Sequence, residues 1–291
     1  MAPPLPCSPP MPADHRPPGF ALTLLATALK AVGRRLRDLR AAAGVVLLVG
    51  AAGVAAGIAL FAWVAVHVRT GHTQAFDDAV LRFLGAHRGA PWFENVMLET
   101  TLLGTGTVVI MIAAVAALFL ALTSHRASAT LLLAATVGAL VLNNVLKAAF
   151  DRPRPQLFSW GTRAFTTSFP SGHAMSAAAV YATIAFLAAR LQHRPAARAA
   201  TYGAAAIVVL AISFSRLYLG VHYPSDVGAG IVVGLAWAAF CATVLEAVQL
   251  LVRRPRRGDR RAQHTSSPPI PESAGLADQA ADATSVSNIR S

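Results

Sequence analysis

Three polar clusters interrupt an otherwise apolar chain, and their residue types are those that hold and process an anion. They are KAAFDRPRP (Lys147 to Pro155), PSGH (Pro170 to His173) and SRLYLGVHYPSD (Ser215 to Asp226). The chain has 291 residues, of which 55% are hydrophobic and only 13% charged. An ionisable group beside a membrane-length apolar run costs free energy, so function is the first explanation for it. Lys147, Arg154 and Arg216 offer positive charge, and arginine's planar fork suits paired oxygens. Ser171 and Gly172 precede an apolar run. If that run is a helix, its first N–H groups lack internal partners and form a natural anion site.

Taken in order, the spacings are KxxxxxxRP (Lys147, Arg154, Pro155), PSGH, and SRxxxxxHxxxD (Ser215, Arg216, His222, Asp226). This three-part signature resembles the type 2 phosphatidic acid phosphatase superfamily, which also includes vanadium-dependent haloperoxidases and some bacterial acid phosphatases. All three parts match in the family's order, and the likeness to its membrane-embedded branch extends over roughly residues 40 to 252.

The resemblance implies phosphoryl transfer, in which charge on three phosphate oxygens is neutralised while a nucleophile and a leaving group are aligned. By this likeness His222 is the nucleophile, forming a phosphohistidine, and Asp226 fixes its tautomer and ring direction. His173 protonates the departing oxygen and later activates water. Lys147, Arg154, Ser171, Gly172 and Arg216 bind the substrate phosphate. The residues by themselves show only that these types are suitable. Blander readings stand beside them: Lys147 snorkelling from a helix end, Arg154 and Arg216 on lipid headgroups, Ser171 as a helix cap, and interface histidines. Arg152 and Asp151 hold no motif position and read as a local pair or as support for the site. Asn143 and Asn144 read as bonding to neighbouring helices.

The elements that must position these clusters are membrane spans. Mean hydropathy is +0.53, and a span needs ~20 mostly apolar residues. Six runs qualify, at about 43 to 66, 101 to 122, 129 to 149, 172 to 189, 200 to 219 and 227 to 252. The expected fold is therefore all-α, a bundle of six transmembrane helices with both termini cytoplasmic. A net charge of +12 would suggest nucleic acid in a soluble protein. Here most basic residues fall on the amino-terminal side of the membrane, as the positive-inside rule requires, so no nucleic-acid partner is expected. The outside exceptions concentrate in the motif stretch, where they are better explained as anion ligands. Counting spans brings all three clusters to the outer face.

Three regions follow: residues 1–40 as a disordered then amphipathic basic tail, 41–252 as the transmembrane domain, and 253–291 as a basic then polar disordered tail. Phe20 to Leu39 reads either as an interfacial helix or as the basic flank of the first span. Residues 69 to 95 form an external loop. In it Phe76, Val80, Phe83 and Leu84 lie close to one helical face, so a short helix on the outer leaflet is expected, with Trp92 and Phe93 at the interface. Glu99 reads as the carboxylate opening the second span. Cys7 and Cys241 occupy opposite settings, making a disulfide implausible. No metal site or cofactor is indicated.

The function expected is a lipid phosphatase of the bacterial cytoplasmic membrane with its site facing outward. Phosphatidic acid, phosphatidylglycerol phosphate and undecaprenyl diphosphate are the candidate substrates, and the lipid and the bilayer the expected partners. The rivals are a lipid phosphotransferase using the same histidine, and a non-catalytic membrane scaffold or transporter.

Overall fold

The computed structural model describes residues 20–156 and 167–252, all of whose regular structure is helical. Eight helices follow in order: α1 (Phe20–Arg69), α2 (Gln74–Ala86), α3 (Pro91–Leu102), α4 (Gly106–Leu122), α5 (Arg126–Ala149), α6 (Gly172–Arg190), α7 (Pro195–Tyr218) and α8 (Pro224–Val252). Five segments are long and apolar enough to cross a membrane: Gly44–Arg69 within α1, then α5, α6, α7 and Pro224–Leu250 within α8. Helices α3 and α4 pass the same test only as a pair bent by 54°. The chain is an integral membrane protein with five or six candidate spans.

α1 runs unbroken through residue 40, so the expected boundary there is no break in the backbone. The second span departs further from expectation. Pro91 occupies the first turn of α3, where its missing N–H costs nothing, and α3 ends at Leu102. The chain then turns at Leu103–Thr105, and α4 starts at Gly106. Glu99 thus lies inside α3, and the carboxylate in a first turn is Glu94. The break falls in Thr-Leu-Leu-Gly-Thr-Gly, where Gly104 is closely packed: a Cβ there would sit 2.6 Å from Ile212 and 3.2 Å from the Cβ of His173.

α6 is the central helix, with buried residues on every side from Ala174 to Ala189. Its run of alanines lets neighbours approach closely, the usual device where lipid leaves no hydrophobic gradient between helices. α8 answers with Gly230 and Gly234, one turn apart. A Cβ on the first would lie 2.6 Å from the Ser171 carbonyl, and one on the second would meet the Met175 carbonyl. A second core joins α4, α5, α6 and α8 around Val109, Leu132, Val180 and Leu245. By contrast, Leu48, Val115, Val137 and Ile207 point away from the bundle, as a lipid-facing surface should.

Candidate active site

The carboxyl ends of α5 and α7 and the amino ends of α6 and α8 meet at one end of the bundle, and all three polar clusters converge there. Lys147, in the last turn of α5, donates from Nζ to the carbonyl of Thr167 at 3.0 Å. Arg154 donates from Nη1 to the carbonyl of Val221 at 2.8 Å, and the same nitrogen lies 3.2 Å from His222 Nε2. The Ser171 amide donates to the Asp226 carbonyl at 3.0 Å, tying the PSGH turn to α8. Arg216, buried at the end of α7, donates from Nη1 to Thr101 Oγ1 at 2.6 Å, which brings α3 into the site. His173 lies in the first turn of α6 against Gly104. It is within electrostatic reach of Arg216, His222, Lys147 and Arg154.

His222 is buried between a carboxylate and a guanidinium. Its Nδ1 is 3.6 Å from Asp226 Oδ2, an ion-pair distance too long for a hydrogen bond, while Nε2 faces Arg154. That polarity fits a tautomer with the proton on Nδ1 and the lone pair of Nε2 aimed into the cations. Burial, with Arg216 and Arg154 adding to it and Asp226 opposing, pulls the His222 pKa down to about 4, so the ring is neutral near pH 7. Burial likewise lowers the Arg154 pKa, though arginine stays charged.

Several buried polar atoms here have no hydrogen-bond partner among the described residues: Ser171 Oγ, Arg216 Nε, His222 Nδ1 and Asn143 Oδ1. Each such atom costs about 1–3 kcal/mol, and in a native protein each calls for an explanation. Ser171 occupies the N-cap of α6 yet makes no side-chain cap bond, so its hydroxyl is left for something else. Asn143 does not tie helices together as expected: its side chain lies against Gly172, where a Cβ would be 3.0 Å from Oδ1. Ser171 Oγ, Arg216 Nε and the unpaired N–H groups opening α6 are donors of the kind an oxyanion needs.

Asp226 is held by more than the sequence disclosed. Tyr223 N donates to Oδ2 at 2.9 Å, Ser168 Oγ donates to the same oxygen, and Arg152 Nη1 donates to Oδ1 at 2.7 Å. Asp226 is the third residue of α8, so its bond back to the Tyr223 amide is the acidic half of a capping box. Arg152 does not pair with Asp151, which is exposed. It reaches instead to Asp226, to Asp77 Oδ2 at 2.8 Å, to Gln74 Oε1 at 3.1 Å and to Ser225 Oγ at 2.7 Å. Its guanidinium also lies 4.1 Å from the centre of the Tyr223 ring. Burial works against the charge on Arg152, but Asp226 and Asp77 outweigh it and raise its pKa.

Asp77, Gln74, Ser168, Thr167, Ser225 and Thr101 were not singled out from sequence. Asp77 offered one signal: it shares a helical face with Gln74 and Leu81, opposite Phe76 and Phe83. The structure buries Asp77 and Leu81 completely and exposes the two phenylalanines. α2 is the short helix expected in this loop, and its polar face docks on the site. Arg163 lies outside the described residues.

A sequence model of the PAP2 superfamily matches residues 128–249, which contain all three clusters. The chain is 31% identical over 176 residues to phosphatidylglycerophosphatase B of Bacillus subtilis (strain 168), covering 60% of this chain and 86% of that protein. It is 33% identical over 118 residues to lipid A 1-phosphatase of Rhizobium etli, covering 37% of this chain and 45% of that one. Among solved structures it resembles a transmembrane PAP2-type phosphatidylglycerolphosphate phosphatase from Bacillus subtilis, with a TM-score of 0.62 and 27% identity over 70% of this chain and 98% of that chain. With a family match over the clusters, a relative aligned along most of its length and a shared membrane fold, the chain belongs to the PAP2 superfamily.

Proposed function

We propose that this protein is a membrane lipid phosphatase that hydrolyses a lipid phosphate or diphosphate through a phosphohistidine on His222. The observation that carries the reading is the placement of one neutral imidazole between Asp226 on its Nδ1 side and Arg154 on its Nε2 side. Its supports are the convergent cations Lys147, Arg154 and Arg216, the unpartnered donors at Ser171 and Arg216, and relatives named for lipid phosphatase activity.

In this mechanism the phosphate of the lipid lies among Lys147, Arg154 and Arg216, with the Ser171 hydroxyl and the N–H groups that open α6 at Gly172 as further donors. Such fixed donors stabilise charge most where water is excluded. His222 Nε2 attacks phosphorus, the P–O bond to the lipid breaks, and His173 gives its proton to the departing oxygen. His173 then takes a proton from water as that water attacks phosphorus, the P–N bond breaks, and inorganic phosphate leaves. Asp226 stabilises the imidazole as it acquires charge. The chain's own cations supply the neutralisation, so the reaction needs no metal. The substrate class comprises phosphatidic acid, phosphatidylglycerol phosphate and undecaprenyl diphosphate. The site faces outward from the bacterial cytoplasmic membrane in a six-span bundle with both termini inside.

The test is phosphate release from these three lipids in detergent with EDTA present. His222→Ala is expected to lose at least about 1,000-fold in kcat, the scale of removing a nucleophile. His173→Ala is expected to lose about 100-fold or more, the scale of a general acid, while retaining its fold. Turnover by His222→Ala within about tenfold of the parent would sink the histidine nucleophile.

A further inference from the structure

We propose that Asp77 on α2 is a positioning residue for catalysis: through Arg152 and Ser225 it sets the orientation and the effective charge of Asp226 behind His222. The proposal rests on the phosphohistidine reading above and adds to it a residue 145 positions or more from the His222–Asp226 pair, outside every motif.

The geometry is a closed set of contacts. Asp77 is fully buried, as is Asp226. One guanidinium spans them, with Arg152 Nη2 on Asp77 Oδ2 at 2.8 Å and Nη1 on Asp226 Oδ1 at 2.7 Å. Ser225 closes the ring: its hydroxyl donates to Asp77 Oδ2 at 2.6 Å, its amide donates to Asp77 Oδ1 at 3.0 Å, and Arg152 Nη1 donates to the hydroxyl at 2.7 Å. The Ser225 amide belongs to the first turn of α8 and has no partner within that helix. A carboxylate from a different helix therefore caps α8 at the turn that carries Asp226. Both oxygens of Asp77 are used, and neither reaches the phosphate-binding cluster.

Two consequences follow from the charges. Two carboxylates share one guanidinium, so Asp226 is only partly neutralised by Arg152 and keeps negative charge for the imidazole. Without Asp77, Arg152 would be given wholly to Asp226 and would draw its carboxylate from His222, whose Nδ1 is already 3.6 Å away. α2 also carries the exposed Phe76 and Phe83 on its opposite face, so the helix that braces the site has apolar side chains on its outer side. Among the described residues, Arg152 pairs with carboxylates only from α2, through Asp77, and from α8, through Asp226.

The experiment compares Asp77→Ala, Asp77→Asn and Arg152→Gln with the parent and with His222→Ala, using phosphatidic acid, phosphatidylglycerol phosphate and undecaprenyl diphosphate in detergent micelles. kcat, KM, the pH profile of kcat/KM and the melting temperature are read for each. Both Asp77 variants are expected to lose about 10- to 100-fold in kcat, the size found for partners that orient a functional histidine from behind, with KM within about threefold. Asn keeps the oxygen that caps α8 but not the charge, so its melting temperature should stay near the parent's while kcat still falls. The groups facing His222 are Asp226 on α8, Arg216 on α7, His173 on α6 and Arg154 in the loop, with Lys147 on α5 beyond His173, and they are unchanged in every Asp77 variant. Removing negative charge disfavours the imidazolium, so Asp77→Asn should move the acid limb to lower pH. Arg152→Gln should move it to higher pH. A merely structural role would move neither. If the parent is active, His222→Ala is dead, and Asp77→Asn keeps parental kcat and pH profile, the positioning role is wrong and the phosphohistidine reading stands. If His222→Ala remains active, or the parent hydrolyses none of the three lipids, both fall.

Discussion

His222 derives its character from what touches each side of its ring. Burial favours the neutral form, Asp226 works against that, and the net result is a pKa of about 4. The imidazole is therefore available as a nucleophile above that value and is lost as pH falls through it, so a pH–rate profile should place its acid limb near 4. The same displacement is a statement about stability. The unfolded chain binds this proton at about 6.5 and the folded chain only near 4, so the contribution is complete above 6.5 and declines as pH drops toward 4. Melting in detergent across that window should become less pH-dependent in His222→Asn than in the parent; an unchanged dependence would assign the effect to other groups. At this scale the sequence is most informative about the residues of the proposed chemistry and least about those behind them. Lys147, Arg154, Ser171, Gly172, His173, Arg216, His222 and Asp226 sit in short motifs with defined spacings, and the structure brings them to one end of the bundle. Of the two readings for Arg152, a pair with Asp151 fails because adjacent residues seldom face each other, while support for the site is what its contact with Asp226 provides. The real partner, Asp77, is separated from it by two helical spans and appears in sequence only as one acid among the apolar residues of α2.

At the scale of elements, the position of the site depends on how closely α8 lies against α6. Gly230 and Gly234 permit that approach, and the Ser171 amide bonds to the Asp226 carbonyl across it. Gly234→Val would place a branched side chain against the Met175 backbone, which cannot yield as a flexible side chain would. The expected result is a loss of about 1–3 kcal/mol, typical of overpacking, read as a lower melting temperature, with a fall in kcat as α8 shifts. Parental stability and activity in this variant would show that the close approach is dispensable. Hydropathy read the long helices well because each is a continuous apolar run. Its bounds for the second span miss the bend because a window average cannot see the Leu103–Thr105 break, beside which Ile212 and His173 pack closely on Gly104. It also could not tell that α1 continues through residue 40, since helix continuity there crosses from a basic segment into an apolar one.

For the molecule as a whole, the proposed orientation puts the α1–α2 turn outside and the α4–α5 turn inside. In a background with Cys7→Ser and Cys241→Ala, His72→Cys should react with a membrane-impermeant maleimide on intact bacterial cells. His125→Cys should react only after permeabilisation, and the reverse pattern would invert the topology. Convergence of the three clusters was legible from counting spans, because an even number of crossings returns the chain to the same face. The central claim is that these distant clusters enclose a single phosphate with His222 in line. A structure of the detergent-solubilised protein with orthovanadate, a phosphate mimic, tests it most directly. The account predicts vanadium bonded to His222 Nε2, with its oxygens contacted by Lys147, Arg154, Arg216, the Ser171 hydroxyl and the Gly172 amide. Vanadate bound elsewhere, or bound among the cations with the His222 ring turned away from it, would contradict the account.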